Sequence, residues 1–378
     1  MLSYALDLQR VRQYLNHILR AQMITDAVRE DRIFLDQVRR GFLPLPGDHP
    51  GVPTDPFPQA RSHRLPALAE RRVGVIATGG SGAQASVVGV AKALECAGVT
   101  PVAYGVCSGS ALFGIPLAAG MSADEVAAEV QQMTPRDYID PDWLGLVSAP
   151  LRLGRGWVGL LSGDRLEAFY RRMLGDVTLA ELPIPVYFSV WNIERNHLQY
   201  VGPDTHPDLP AARAVRMAVA LPLAIQPNQL DDGWWLDGGA VEILPAEPFV
   251  DSDRCDVGLV VNGFYPPGFV GDLEPAWRES MMSVLHVANQ TRSMQHLQLA
   301  RRGLADLRRS IADVVELNPV PYGKVQGAGL YGQFLDTRLW PRFMSSGYDV
   351  ATEALAQLAD DTEAANDADA ESESEAAP

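Results

Sequence analysis

The sequence predicts an α/β fold with a mainly parallel central sheet and helices packed on its faces. Short apolar runs such as Val73–Ala77 and Val257–Val261 have the composition of strands that are buried on both sides. Glycine turns and stretches of helical periodicity follow several of these runs, and this order is typical of parallel strands joined by crossover helices. The chain has 378 residues, 47 % of them hydrophobic, which is enough for a large core.

The elements are expected in a regular order. Apolar runs bounded by turn residues predict strands at 73–77, 101–104, 184–190 and 257–261. Apolar residues at three- and four-residue spacing predict helices at 85–97, 110–119, 163–174, 208–221, 275–316 and 341–358. The segment from Ser122 to Glu125 has the pattern of a capping box and is expected to open another helix.

The regions outside this pattern divide the chain into four parts. Residues 1–42 are expected to form a helical extension that packs on the main domain or on a second subunit, with an interfacial lipid-binding helix as the alternative. Residues 43–70 are too rich in proline for a helix and are expected to form a linker or an arm that wraps the main domain. The main domain is expected at 71–358, followed by a disordered acidic tail at 359–378.

Charge and composition limit the classes of partner. The formal net charge is −16, and half of it lies beyond residue 359, where eight acidic residues stand without lysine or arginine. This balance argues against a nucleic acid as the partner. The sequence contains no apolar run long enough to span a bilayer, and Asp7 and Arg10 interrupt the stretch that a signal peptide would need. A cytoplasmic protein is expected, with peripheral membrane contact left open.

The cysteines and histidines indicate neither a disulfide framework nor a metal site. Three cysteines without a C-x-x-C pair fit a reducing compartment. The seven histidines show none of the spacings that are typical of metal ligands. No metal and no cofactor is therefore expected.

Three short segments carry the residues that could perform chemistry. They are 78–83 (TGGSGA), 105–109 (GVCSG) and 237–239 (DGG). A G-x-nucleophile-x-G turn between a strand and a helix exposes its middle side chain, here Cys107, and the N-terminus of the helix faces the reacting atoms. The backbone N–H groups of the glycine-rich segment could stabilise an oxyanion. Asp237 could act as a base beside Cys107, although a D-G-G segment alone is more often a simple β-turn.

Two other interpretations of the glycine-rich segment fit less well. A dinucleotide-binding fingerprint requires a third glycine where this chain has Ala85. A phosphate-binding P-loop requires a G-K-[ST] sequence, which this segment does not contain.

Taken together, the segments resemble the patatin-like phospholipase family. The resemblance covers roughly residues 73–358 and is carried by the stretches VGVIATGGSGAQASVVGVAKALECAGV, GVCSGSAL, GDRLEAFYRRMLGDVTLAELPIPVYFSVWNIE, AVRMAVALPLAIQPNQLDDGWWLDGGAVEILP and SSGYDVATEAL. It implies a three-layer α/β/α domain that cleaves acyl esters of lipids with a nucleophile–aspartate dyad and without a metal. By position, it implies the following roles: nucleophile Cys107, base Asp237, oxyanion loop Gly80, Ser81 and Gly82, and elbow and turn glycines Gly105, Gly109, Gly238 and Gly239.

The chain departs from the family pattern in three places. Cys107 stands where the family has serine, and Ala83 and Gln84 replace a basic residue and a glycine of the usual oxyanion loop. Val241 and Glu242 follow the D-G-G segment where the family often has asparagine.

A cysteine at the nucleophile position changes the expected chemistry. A helix N-terminus lowers the pKa of a thiol, whereas a neighbouring carboxylate such as Asp237 raises it, and the sequence leaves this balance open. An activated Cys107 is expected to react with iodoacetamide ahead of Cys96 and Cys255. A thiol–carboxylate pair can form an acyl-thioester, so the sequence favours an acyl hydrolase or an acyltransferase acting on lipid, ester or thioester substrates.

Two alternatives of other classes remain at this stage. One is a catalytically inactive patatin-like protein that binds a lipid or a protein partner. The other is an α/β-hydrolase with a triad of Cys107, Asp237 and His286, although His286 lies in a predicted helix without a turn around it.

Overall fold

The fold is described from a computed structural model, which covers residues 55–148, 151, 157–231, 233–263, 283–319, 337 and 340–376. The strands in this part of the chain are β1 Val73–Ala77, β2 Ala103–Val106, β3 Gly159–Leu161, β4 Val186–Asn192, β5 His197–Val201, β6 Leu223–Ile225, β7 Asn228–Leu230, β8 Gly233–Asp237, β9 Val257–Val261 and β10 Asp313–Leu317. The helices are α1 Ser86–Ala97, α2 Ala111–Ala118, α3 Ala123–Gln131, α4 Pro135–Tyr138, α5 Trp143–Ser148, α6 Asp164–Leu174, α7 Ala211–Ala218, α8 Ser283–Ser310 and α9 Trp340–Ala376.

The central sheet is mixed and mostly parallel. Its strands lie in the order β10, β9, β1, β2, β4, β8, β7, and β5 pairs with the other edge of β4. The first five of these strands run parallel, whereas β5, β7 and β8 join by antiparallel pairing. The predicted parallel sheet with crossover helices is confirmed, and the antiparallel strands are an addition at one side.

The sheet separates two hydrophobic cores, which makes the domain three-layered. Side chains alternate along a strand, so Val75 faces one core and Ile76 the other. The first core contains the buried faces of α1, α2 and α9. The second contains Leu297, Leu304 and Leu307 of α8. Burial on both faces explains why β1 and β9 are apolar at almost every position.

Strands β2 and β8 occupy the same edge of β4, one after the other. Phe188 pairs with Val106 of β2 and also with β5, so β2 lies on the edge of β4 that β5 does not use. Two residues further on, Val190 pairs with Asp237 of β8 and again with β5 on the opposite edge. The end of β8 therefore lies directly beyond the end of β2, although the two strands are far apart in the sequence.

Helices α1 and α9 cross in close contact through two glycines. A Cβ atom on Gly89 would collide with the carbonyl of Met344, and one on Gly347 would collide with the carbonyl of Ser86. Because α1 directly follows the glycine-rich segment, this contact anchors that segment on the first core.

The structure differs from the sequence predictions at two elements. Residues 313–317 form strand β10, where the helix predicted at 275–316 was expected to continue. Residues 360–376 continue helix α9, where a disordered tail was expected. Alanine and glutamate favour helix, and the side chain of Arg71 donates to Thr362 at 3.3 Å, so the first turn of this segment is joined to the domain.

The N-terminal part of the chain is described only in part. The helical extension predicted at 1–42 lies outside the described residues. The predicted linker is described from residue 55, and there the chain lies against α1: the backbone N–H groups of His63 and Leu65 donate to the carbonyls of Cys96 and Ala97. None of the helices in the described ranges is both long and apolar enough to cross a bilayer.

Candidate active site

Cys107 lies at the turn between β2 and α2, as the elbow pattern predicts. Its backbone is extended, with φ −141° and ψ 131°, and the left-handed residue of the turn is the next one, Ser108, with φ 51°. The hydroxyl of Ser110 accepts from the Cys107 N–H at 2.8 Å and donates to the Cys107 carbonyl at 2.8 Å. The turn is therefore held by its own side chains, and the thiol is fully buried.

The glycine-rich segment forms a short 3₁₀ turn over Ser81–Ala85 beside this elbow. Gly109 lies so close to the backbone of Ser81 that any side chain at 109 would collide with the Ser81 carbonyl. The loop that could hold an oxyanion and the elbow are thus in direct backbone contact, which explains the glycine at the end of the G-x-C-x-G pattern.

Gln84 fixes the start of this segment. Its fully buried side-chain amide donates to the hydroxyl of Thr78 at 3.1 Å and to the carbonyl of Gly79 at 3.0 Å. The same hydroxyl accepts from the N–H of Gly263 at 3.1 Å, which joins the segment to the end of β9. The departure from the family pattern at position 84 therefore has a structural role here.

The D-G-G segment brings Asp237 to the elbow. Asp237 is completely buried, its N–H donates to the Ala220 carbonyl at 3.0 Å, and its Oδ1 accepts from the Gly239 N–H at 2.8 Å. A Cβ atom placed on Gly239 would lie 2.9 Å from the Sγ of Cys107 and 3.0 Å from the Oδ1 of Asp237. A single carbon atom at this point would touch both groups, so the thiol and the carboxylate converge over Gly239.

The surroundings of the thiol disfavour its ionisation. Burial raises the pKa of Cys107 well above its usual value, and the carboxylates of Asp237 and Glu242 raise it further. Hydrogen bonds from Ser189 and from the N–H of Gly79 act in the opposite direction but are outweighed. The open question of the sequence is thereby answered: the thiol is neutral at physiological pH, and the strongest cause is burial.

Glu242 and Tyr200 belong to the site and were not predicted. The Glu242 carbonyl lies 3.5 Å from the Sγ of Cys107, and the Tyr200 hydroxyl donates to the Glu242 carboxylate. Burial raises the pKa of Glu242, while the hydrogen bond from Tyr200 lowers it, and burial likewise raises the pKa of Tyr200. Tyr200 comes from β5, and only the strand pairing, which the sequence does not reveal, brings it to Glu242.

The alternative triad of Cys107, Asp237 and His286 stays an untested prediction. His286 lies in helix α8, and its side chain lies outside the described residues. Another histidine of α8, His296, is buried, with Nε2 3.4 Å from the Ala240 carbonyl just after the D-G-G segment. In the described ranges no group of three or more His, Cys, Asp or Glu side chains is arranged to hold a metal.

The raised thiol pKa changes the expected order of alkylation. We expect iodoacetamide at pH 7.5 to label the half-exposed Cys96 first, and Cys107 and Cys255 slowly, because both are buried and burial raises the pKa of Cys255 to about 11. Labelling of Cys107 should accelerate with pH as the thiolate forms.

Glu242→Gln removes a negative charge, lowers the pKa of Cys107 and should speed its labelling, as measured by peptide mass spectrometry over a pH series.

Glu247→Gln serves as the control, since Glu247 is exposed and is not among the causes of the Cys107 shift. Labelling of Cys107 ahead of Cys96 at neutral pH would contradict the assignment of a neutral, buried thiol.

The fold and the site define a class of protein: a three-layer α/β domain with a cysteine at the turn that follows a parallel strand and an aspartate close to that cysteine. Residues 75–250 match the family model described as patatin-like phospholipase. The resemblance to this family seen in the sequence is thus confirmed over residues 75–250. Strands β9 and β10 lie beyond the matched segment but belong to the same sheet.

Several solved structures are similar to the chain. VipD from Legionella pneumophila is 16 % identical, with a TM-score of 0.43 over 78 % of this chain and 67 % of that chain. ExoU from Pseudomonas aeruginosa, in complex with SpcU, is 15 % identical, with a TM-score of 0.34 over 76 % of this chain and 53 % of that one. Human GIVD cytosolic phospholipase A2, in complex with methyl gamma-linolenyl fluorophosphonate, is 11 % identical, with a TM-score of 0.40 over 77 % and 59 %.

The chain spans about two thirds of the VipD chain and between half and three fifths of the other two. No curated protein matches the sequence.

Proposed function

We propose that the protein is a lipid acyl hydrolase in which Cys107 is the nucleophile and Asp237 the general base. The observation that carries the proposal is the convergence of Sγ and the Asp237 carboxylate over Gly239. The match of residues 75–250 to a family of phospholipases supports an acyl lipid as the substrate. The neutral thiol requires a base at the moment of attack, and a buried carboxylate beside it can supply one.

The proposed reaction has two stages. Sγ attacks the ester carbonyl carbon while the thiol proton passes to Asp237, and the N–H groups of the segment Gly80, Ser81 and Gly82 stabilise the oxyanion. Asp237 then donates this proton to the leaving alkoxide, which departs as an alcohol and leaves an acyl-thioester on Cys107. Water attacks the thioester and gives a proton to Asp237, which returns it to Sγ as the carboxylic acid leaves. An alcohol or amine in place of water would make the same site an acyltransferase.

A catalytically inactive, lipid-binding protein is the second candidate. The observation that favours it is the complete burial of the thiol together with its raised pKa, since both slow nucleophilic attack. In this candidate the fold keeps an acyl-binding site without turnover.

A covalent adduct distinguishes the two candidates. We expect short-chain p-nitrophenyl esters and acyl-thioesters to add one acyl group to the protein, located on Cys107 by intact mass and peptide mapping. Cys107→Ala should abolish the adduct, whereas Cys96→Ala, at a half-exposed cysteine outside the site, should leave it unchanged. An adduct that persists in Cys107→Ala would contradict the assignment, and the absence of turnover with both Cys107 and Cys107→Ser would favour the inactive protein.

A further inference from the structure

Ser189 of β4 lies at the point where strands β2 and β8 both end. The residue before Ser189 pairs with the last residue of β2, and the residue after it pairs with Asp237, the last residue of β8. Cys107 follows directly on β2, and Gly238 follows directly on β8. A single residue of β4 therefore borders both the elbow and the D-G-G segment.

The side chain of Ser189 lies on the same face of the sheet as the thiol. Side chains alternate along a strand, so Ser189 shares the face of Tyr187, which belongs to the second core together with Cys107. A Cβ atom on Gly238 would collide with the hydroxyl oxygen of Ser189. A Cβ atom on Gly239 would lie 2.9 Å from the Sγ of Cys107. The hydroxyl and the thiol therefore stand over neighbouring residues of the D-G-G segment.

The hydroxyl of Ser189 is directed at the thiol and at no other polar group of the described residues. Ser189 is completely buried, and in the described part of the chain its hydroxyl makes no hydrogen bond to a nitrogen or oxygen atom. A buried hydroxyl is usually paired, because it has given up its hydrogen bonds to water. The group with which this one interacts is the thiol of Cys107. Ser110, by contrast, uses its hydroxyl on the backbone of the elbow.

A hydroxyl in this position has a defined use in thiol chemistry. Negative charge develops on Sγ when the thiol gives up its proton, and again when an acyl group leaves the sulfur. A donor that is already in place stabilises this charge in a buried site, where water cannot reach the sulfur. A serine hydroxyl suits this purpose, since it can rotate toward the sulfur and carries no charge of its own.

We propose that Ser189 is a further catalytic residue, whose hydroxyl donates a hydrogen bond to the Sγ of Cys107 and stabilises the thiolate that forms there. The hydroxyl keeps its own proton throughout, and the proton of the thiol passes to Asp237. In the second stage the C–S bond of the thioester breaks, its electron pair stays on Sγ, and the hydroxyl stabilises the sulfur until Asp237 returns the proton. The role in hydrolysis rests on the proposed function, whereas the contact with the thiol does not.

Alkylation of the thiol tests the contact without relying on catalysis. Ser189→Ala removes the donor and makes Cys107 less acidic. The rate of alkylation by iodoacetamide at neutral pH should fall about three- to tenfold, since a hydrogen bond to a thiolate is strong but a more basic thiolate is also a better nucleophile. The deficit should shrink as the pH is raised and the thiolate forms in both proteins. A loosened core would instead expose the thiol and speed its alkylation at every pH.

The other groups that act on the acidity of the thiol are kept in this variant. Within the described ranges these groups are the carboxylates of Asp237 and Glu242, the phenol of Tyr200 and the N–H of Gly79. Ser86→Ala is the matched control: Ser86 is also completely buried, and its hydroxyl likewise makes no hydrogen bond to a described residue, but it does not act on the thiol. We expect this control to alkylate within about twofold of the wild-type rate.

Hydrolysis of a short-chain p-nitrophenyl ester tests the role in the reaction. We expect Ser189→Ala to lower kcat about tenfold and to keep KM within about twofold, because the hydrogen bond strengthens only as charge develops on Sγ. Alkylation of Ser189→Ala at the wild-type rate or faster, or an equal loss in Ser86→Ala, would overturn the proposal. Slower alkylation with an unchanged kcat would remove Ser189 from the reaction. Slower alkylation in a protein whose wild-type form hydrolyses no ester would refute the proposed function and leave the contact with the thiol in place.

Discussion

Asp237→Asn is expected to lower the rate of ester hydrolysis about 10²- to 10⁴-fold, the usual contribution of a general base. The amide oxygen can still accept from the Gly239 N–H, so the turn should keep its shape while the base is lost. The same change removes a negative charge beside Cys107 and therefore lowers the thiol pKa. Alkylation of Cys107 should accelerate while hydrolysis slows, and residual hydrolysis should rise with pH as the thiolate forms.

Faster alkylation together with slower hydrolysis distinguishes loss of the base from general damage to the fold, because damage to the fold would not produce both changes. Hydrolysis is measured with a short-chain p-nitrophenyl ester, and alkylation with iodoacetamide, on the same preparations. Asp204→Asn is the matched control, because Asp204 lies on the surface, in an ion pair with Arg254. Unchanged hydrolysis in Asp237→Asn would remove Asp237 from the mechanism.

Gly239→Ala is expected to reduce hydrolysis about 100-fold, the cost of a displacement near 1 Å among reacting groups. The new methyl group would lie 2.9 Å from Sγ and 3.0 Å from Oδ1, and both groups must move to accommodate it. Gly175→Ala provides the comparison, because its Cβ would meet nothing within 4 Å, although its φ of 71° is strained for alanine.

We expect Gly175→Ala to lose about 1–3 kcal/mol of unfolding free energy, measured in urea, because φ 71° and ψ −153° form a conformation that is essentially restricted to glycine, and to keep its hydrolysis rate. Equal rates in Gly239→Ala and the wild-type protein would mean that the thiol and the carboxylate do not act together over this glycine.

The sequence was sufficient for the elements whose causes are local. The apolar runs at 73–77 and 257–261 are strands with the same bounds in the structure, and the capping box at Ser122 and Glu125 forms as predicted. The elbow also has a local cause, since glycines and small residues permit the turn around Cys107.

Features with non-local causes could not be predicted. Glu242 reaches the thiol through the turn after β8, and Tyr200 reaches Glu242 through the pairing of β5 with β4. Neither residue belongs to a motif. The burial of Cys107 depends on packing from several elements, so the direction of its pKa shift could not be read from its neighbours in sequence. Strand β10 was missed because Asp313 and Glu316 interrupt its apolar pattern, which left helix as the better fit.

The position of β8 beyond the end of β2 has a consequence for folding. A nascent or truncated chain that ends after β5 contains the elbow and the glycine-rich segment but not Asp237, so it could hold a thiol without its base. Contacts between residues so distant in sequence form late, because the chain entropy lost in closing the intervening loop must be offset first. The thiol and the carboxylate would therefore be brought together only after the middle of the chain has folded. An incompletely folded protein would lack the proposed activity.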